Sequence, residues 1–167
     1  LLKLLRTLNL KDIDKFLIYS VYNGDKFIEP FLNDIVDQTI FEEKCELILV
    51  NANSPGNEEK IIQKYVKKYP KNIKYHKLDE DPGIYGAWNT AIEKATGEFI
   101  TNANLDDRKA PYSLEKHAKT LLANSDIDLV YADSYITHQQ NETFDINTSG
   151  GKKYNFEQFS KEAMLRG

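Results

Sequence analysis

The sequence predicts an α/β fold, a mainly parallel sheet with helices on both faces. Three observations predict it. Short apolar runs alternate with amphipathic stretches of helical period along the 167 residues. Loop-type clusters of Asn, Asp, Gly and Pro punctuate them. Polar clusters follow the first, second and fourth predicted strands, where ligands bind in open parallel sheets.

The elements follow in order. Leu1-Leu2-Lys3-Leu4-Leu5-Arg6 lacks the apolar core and cleavage site of a secretory signal, so residues 1–14 read as a linker or preceding helix. Phe16-Leu17-Ile18-Tyr19 is a buried strand ending at the turn Asn23-Gly24-Asp25. Phe27, Ile28, Phe31, Leu32, Ile35 and Val36 share a helical face, with Pro30 tolerable in the first turn. Leu47-Ile48-Leu49-Val50 is a second strand, followed by the loop Asn51-Ala52-Asn53-Ser54-Pro55-Gly56. Ile61, Ile62, Tyr65 and Val66 mark a helix with Glu58 and Glu59 in its first turn, where negative charge is favoured. Ile73-Lys74-Tyr75-His76 is a third, alternating strand.

Ile84, Ala87, Trp88, Ala91, Ile92 and Ala95 recur at helical spacing, and Gly97 is placed to close that helix in the left-handed conformation. Residues 98–101 read as a fourth strand running into Asn104-Leu105-Asp106-Asp107-Arg108. Pro111 opens a helix carrying Leu114, Ala118, Leu121 and Leu122. Residues 128–131 read as a further strand, 138–153 as a loop or hairpin around Gly150-Gly151, and 154–165 as a short helix.

Composition narrows the function. Apolar residues make up 41% and charged residues 29%, as in ordinary soluble domains. A net charge of -4, from 22 Lys and Arg against 26 Asp and Glu, argues against a nucleic-acid partner. The single cysteine, Cys45, forms no internal disulfide, and a cytoplasmic setting is the simplest expectation. No run reaches the roughly 18 apolar residues of a membrane span. Leu1 and the lone Met164 suggest a piece of a longer protein, with membrane association, if any, through its other parts.

The chemistry concentrates in Asn104-Leu105-Asp106-Asp107. Adjacent carboxylates at a strand end repel, and a hard divalent cation, Mg²⁺ or Mn²⁺, relieves the repulsion while keeping positions for phosphate oxygens. The alternative is a helix-capping loop in which Arg108 pairs with Asp107. His76, His117 and His138 are scattered, which argues against zinc, and His117 reads as a helix-surface or boundary residue. Trp88 either stacks on a ligand ring or packs in the core. There is no Gly-x-Gly-x-x-Gly after the first strand, no phosphate loop and no Gly-x-Ser-x-Gly elbow.

Five segments, in register over about 120 residues, resemble the amino-terminal part of family 2 glycosyltransferases, which have the GT-A fold. They are Tyr19-Ser20-Val21-Tyr22-Asn23-Gly24; the helix ending in Gln38-Thr39; the strand running into Asn51-Ala52-Asn53-Ser54; Asp81-Pro82-Gly83-Ile84-Tyr85-Gly86-Ala87-Trp88-Asn89; and Ala95-Thr96-Gly97-Glu98 with the later Asn104-Leu105-Asp106-Asp107.

The resemblance implies a domain that binds a nucleotide-diphospho-sugar with Mn²⁺ or Mg²⁺. The sugar would pass, with inversion, to an acceptor hydroxyl of a glycan or glycoconjugate. Val21, Tyr22 and Asn23 would line the nucleotide pocket. Asn51 and Asn53 stand where the family carries acids towards base and ribose. Asp81 and Gly83 would help close the site, and Asn89 would face it. Asn104 and Asp106 take the metal-motif positions, beside Asp107. Residues 15–137 would be the nucleotide-sugar-binding core and 138–167 the incomplete start of an acceptor-side region. The catalytic base is expected downstream of Gly167. Asn51, Asn53 and Asn104 in place of the usual acids motivate an alternative, a glycosyltransferase-like domain without turnover that binds a partner or glycan. A nucleotidyltransferase fits less well, because Tyr22-Asn23-Gly24-Asp25-Lys26 is short and acidic for its loop.

Overall fold

The computed structural model of the chain describes residues 18–101, 104–155 and 160. The linker or preceding helix expected over 1–14, the start of the first strand, and nearly all of the helix expected over 154–165 lie outside those residues. The elements are β1 (Ile18–Val21), α1 (Ile28–Val36), α2 (Phe41–Lys44), β2 (Leu47–Asn51), α3 (Glu58–Lys68), β3 (Ile73–Lys77), α4 (Gly83–Lys94), α5 (Ser113–Ala123), β4 (Ser134–Tyr135) and β5 (Lys153–Tyr154).

β1, β2 and β3 form a parallel sheet in that order, with Ser20 opposite Val50 and Val50 opposite His76. Parallel neighbours need crossovers, which α1 with α2 and then α3 provide. β2 is central and buried at all positions, so it reads as an unbroken apolar run rather than an alternating one. Its side chains still alternate between two faces. Leu47 and Leu49 join Phe31, Leu32, Ile35 and Ile62 in one core cluster. Ile48 and Val50 pack with Ala52 and with Ala87 and Ala91 of α4 in the other.

Local chemistry explains the helix ends. The Gly24 carbonyl accepts from Phe27 and Ile28 amides at 2.8 and 2.9 Å, which turns the chain into α1. Pro30 falls in the first turn of α1, where its missing N–H costs nothing. Buried Gln38 then joins α1 to α5. Its amide donates to the Ala110 carbonyl at 2.9 Å and its oxygen accepts from the Leu114 amide at 3.2 Å. Thr39 adds hydrogen bonds to Pro111 and Glu115. The Gln-Thr pair is thus a brace between two helices.

Four expectations are corrected. Residues 98–101 and 128–131 are not strands. A strand is held by the layer its side chains bury against, and Ile100, Leu129 and Tyr131 stand exposed. Gly97 does not close α4 in the left-handed conformation. The chain is already extended at Ala95, with φ −70° and ψ 136°. Pro111 precedes α5 by two residues, and Tyr112 is the cap. Residues 138–152, within the stretch expected as a loop or hairpin, belong to the loop that joins the short antiparallel strands β4 and β5.

Glu46 secures the exit from α4. This buried carboxylate accepts from the Thr96 amide at 2.9 Å and its hydroxyl at 3.0 Å, and it pairs with Lys74. Burial acts to raise its pKa, but the hydrogen bonds from Lys74 and Thr96 outweigh that and hold the group below the ordinary carboxylate range. The stabilisation is therefore present above the unfolded value of about 4.3 and is lost as pH falls through the folded one. Glu46→Gln is expected to lower stability at pH 7 by about 1–3 kcal/mol. In urea titrations the gap from wild type is expected to shrink steadily below about pH 4.

Candidate active site

The carboxyl ends of β1 and β2 are tied into one knot. Ser54 Oγ accepts from the Asn23 amide at 2.9 Å and the Gly56 amide at 3.3 Å. It donates to Glu58 Oε1 at 2.8 Å, which uses its full hydroxyl capacity. Glu58 Oε1 also accepts from the Gly24 amide at 2.5 Å. Asp25 Oδ1 accepts from the Asn57 amide at 2.7 Å. Asn23 and Asn53 both take the left-handed conformation, at φ 49° and 55°, which Asn tolerates better than most residues.

The knot sorts the predicted binding residues. Tyr22, Asn23 and Asn53 are exposed, so their side chains face solvent. Val21 is buried in the core and its carbonyl accepts from the Ala52 amide at 3.1 Å. Asn51 is buried too. Its oxygen accepts from the Ser54 amide at 2.7 Å and its nitrogen donates to the Tyr75 hydroxyl at 2.9 Å. The Asn51 amide is thus committed to shaping the loop. The signal for this was the residue type: Asn at a strand end bonds readily to nearby main chain.

The Asn104–Asp107 loop sits beside this knot. A Cβ added at Gly24 would lie 2.3 Å from Leu105 Cδ1, so the glycine is what lets Leu105 lie on the β1 loop. Arg108 donates to the Leu105 and Asp107 carbonyls at 2.8 Å each and to Asn141 Oδ1 at 2.7 Å. Asn141 in turn donates to the Lys26 carbonyl at 2.9 Å. The guanidinium therefore holds main chain, and the first turn of α5 takes its side-chain acceptor from Gln38 rather than from Asp107. The helix-capping alternative does not describe this loop.

The oxygen donors are placed for a ligand. Asn104, Asp106 and Asp107 are exposed. Asn104 Nδ2 donates to Asp107 Oδ2 at 2.9 Å, which leaves its own oxygen outward. Asp106 makes no hydrogen bond among the described residues. Those residues hold no group of three or more His, Cys, Asp or Glu able to bind a metal. The available set is one or two carboxylates plus an amide oxygen. That is the hard, incomplete donor set Mg²⁺ or Mn²⁺ accepts when phosphate and water fill the other positions.

A cleft of about 1080 Å³ opens from this loop, lined by Asp106, Lys109, His117 and Asp133 among others. Asn104 and Asp107 line it; Val21, Tyr22, Asn23, Asn51 and Asn53 do not. Sequence reasoning passed over Lys109 and read His117 as a surface or boundary residue. Burial lowers the His117 pKa, and the charge of Lys109 adds to that, so the site favours the neutral imidazole. Asp81 and Gly83 do not line the cleft either; Asp81 Oδ1 accepts from the Gly83 amide at 2.8 Å, and Gly83 starts α4 at φ 74°. Asn89 is exposed on α4 and does not line the cleft. Trp88 is half-buried and meets the Tyr85 ring edge-on at 5.7 Å.

Parallel strands with polar loops gathered at their carboxyl ends, and an Asp pair beside them, make this an open α/β domain of the kind that binds ligands at its strand tips. The model of the family described as Glycosyl transferase family 2 matches residues 17–165, and the chain belongs to that family. The minor teichoic acid biosynthesis protein GgaB of Bacillus subtilis is 36% identical over 94 residues, 56% of this chain and 10% of that protein. The crystal structure of S. aureus TarS 1–349 in complex with UDP-GlcNAc superposes with a TM-score of 0.59 at 27% identity, over 65% of this chain and 31% of that one. A Pyrobaculum calidifontis mannosyltransferase in complex with GDP-Man and Mn²⁺ gives a TM-score of 0.50 at 26% identity, over 54% and 27% of the two chains. The chain thus spans less than a third of these relatives.

Proposed function

We propose that the chain holds a nucleotide-diphospho-sugar across the carboxyl ends of β1 and β2 and delivers its sugar to a hydroxyl of a surface polysaccharide, on the cytoplasmic side of the membrane. The observation that carries this reading is the seating of the Asp106 loop on the Tyr22-Asn23-Gly24 loop through Leu105 and Gly24. It sets an acidic, phosphate-directed group beside exposed amides suited to a base and ribose. Membership of a glycosyltransferase family and the UDP-GlcNAc complex of TarS support the donor class. The acceptor class is suggested by the teichoic acid protein GgaB.

In this reading Tyr22, Asn23 and Asn53 contact the nucleoside, while Asn51 holds the loop. Asp81 and Gly83 fix the start of α4 at the site's edge, with Asn89 further along that helix. Asp106, with Asn104 and Asp107, would hold Mn²⁺ or Mg²⁺. The ion supplies charge neutralisation of the diphosphate leaving group. Transfer with inversion is a single displacement. The acceptor oxygen bonds to the anomeric carbon, the bond to the diphosphate breaks, and the hydroxyl proton passes to a base. No described residue is assigned as that base.

The direct test is calorimetric titration with UDP-GlcNAc, UDP-glucose and GDP-mannose, with and without Mn²⁺. Trp88, the one tryptophan, gives an independent fluorescence signal. One member of the panel is expected to bind and to bind more tightly with the ion. A folded sample that binds none overturns the reading.

A further inference from the structure

Glu58 and Glu59 open the same helix yet behave oppositely. Glu59 is half-exposed and pairs with Lys77 at 2.8 Å, the usual role of an acid in a first turn. Glu58 is fully buried. Removing a carboxylate from water is costly unless hydrogen bonds offset the loss, so its position must be set by what it holds. What it holds is the Gly24 amide of the β1 loop and the Ser54 hydroxyl of the β2 loop, both on Oε1. Through Ser54 the hold extends to the Asn23 amide and so to the left-handed turn. Even Asn, which tolerates that conformation better than most residues, is held in it by its surroundings here.

The fit leaves no slack. Oε2 is buried without a hydrogen-bond partner. A Cβ on Gly56 would lie 2.4 Å from it and 2.7 Å from Asp25 Oδ2. Glutamine keeps an acceptor at Oε1, where both contacts are made, and takes the buried charge away.

We propose that Glu58 is a positioning residue for donor binding: it locks the β1 and β2 loops into one preformed cradle and so sets affinity for the nucleotide-diphospho-sugar without touching it. This rests on the reading given under Proposed function. Preorganisation of this kind appears in binding, because a loose cradle must be ordered by the ligand.

The test uses Glu58→Ala, Glu58→Gln and Ser54→Ala in the whole chain, with the panel member that wild type binds most tightly. Glu58→Ala is expected to raise the donor Kd at least tenfold, well below its melting temperature. Glu58→Gln is expected to stay within threefold of wild type throughout. Hydrogen exchange at the Gly24 amide is expected to speed up in the alanine variant alone. Unchanged donor affinity in Glu58→Ala, or equal loss in Glu58→Gln, overturns the proposal. Should Glu58→Ala not fold, Ser54→Ala decides: a donor Kd raised at least threefold supports the cradle, and an unchanged Kd removes it. Failure of wild type to bind any donor refutes the functional reading instead, and Gly24 exchange still reports whether the cradle exists.

Discussion

Asp106→Ala is expected to cut sugar transfer by about 100-fold or more, the scale seen when one preorganised electrostatic group is removed from a reacting centre. The argument is local. Asp106 is exposed, makes no hydrogen bond among the described residues, and projects from a loop held on both flanks, by Leu105 against Gly24 and by Arg108 on main-chain carbonyls. Its removal breaks no hydrogen bond among the described residues and takes away only an exposed charge near Arg108, so stability is expected to stay within about 1 kcal/mol of wild type. Mn²⁺ enhancement of donor binding is expected to disappear with the activity. Calorimetry with and without the ion, beside initial-rate assays, checks both. An active Asp106→Ala variant that still responds to Mn²⁺ excludes this carboxylate as the ion's ligand.

Phe31→Ala is expected to cost about 3–5 kcal/mol, the range for deleting a buried ring and leaving a cavity. Phe31 is fully buried in the cluster that joins α1 to Leu49 of β2 and Ile62 of α3, so the hole opens where three elements meet. A typical domain holds only about 5–15 kcal/mol in total. Urea unfolding followed by circular dichroism should show a much lower midpoint with a similar slope. Ile146→Ala, at a position 81% exposed, is the matched control and should fall within about 0.5 kcal/mol of wild type. A Phe31→Ala midpoint as close as that would contradict the two-cluster core.

Much of the architecture was legible because period and burial agree. Leu47-Ile48-Leu49-Val50 is buried on both faces, and such strands are continuous in hydrophobicity. Ile28, Phe31, Leu32 and Ile35 repeat at helical spacing and all fall inside. What misled was apolar content without a covering layer. Leu129 and Tyr131 look like strand residues, yet they stand exposed. The four-residue α2 was missed because one turn is too short to establish a period. At the candidate site, residue types were informative and orientations were not. Asn51 and Asn53 are two residues apart in one loop, yet one amide points inward to Tyr75 while the other is exposed. Glu58 is harder still: an acid at a helix start predicts a surface charge, and only the approach of the β1 loop buries it.

The two sides of the sheet differ in a way that shapes which sequences the fold can explore. Against α1 and α3 the filling is bulky, built from Phe31, Leu32, Leu47, Leu49 and Ile62, and one hydrocarbon can be traded for another of similar volume. Against α4 the helix contributes only methyl groups, from Ala87 and Ala91. Growth there has nowhere to go except into pushing α4 off the strands. Drift in this lineage should therefore leave its mark on the thick side, while the thin side stays small, because the thin side sets how near the Asp81–Gly83 corner is carried to the strand tips.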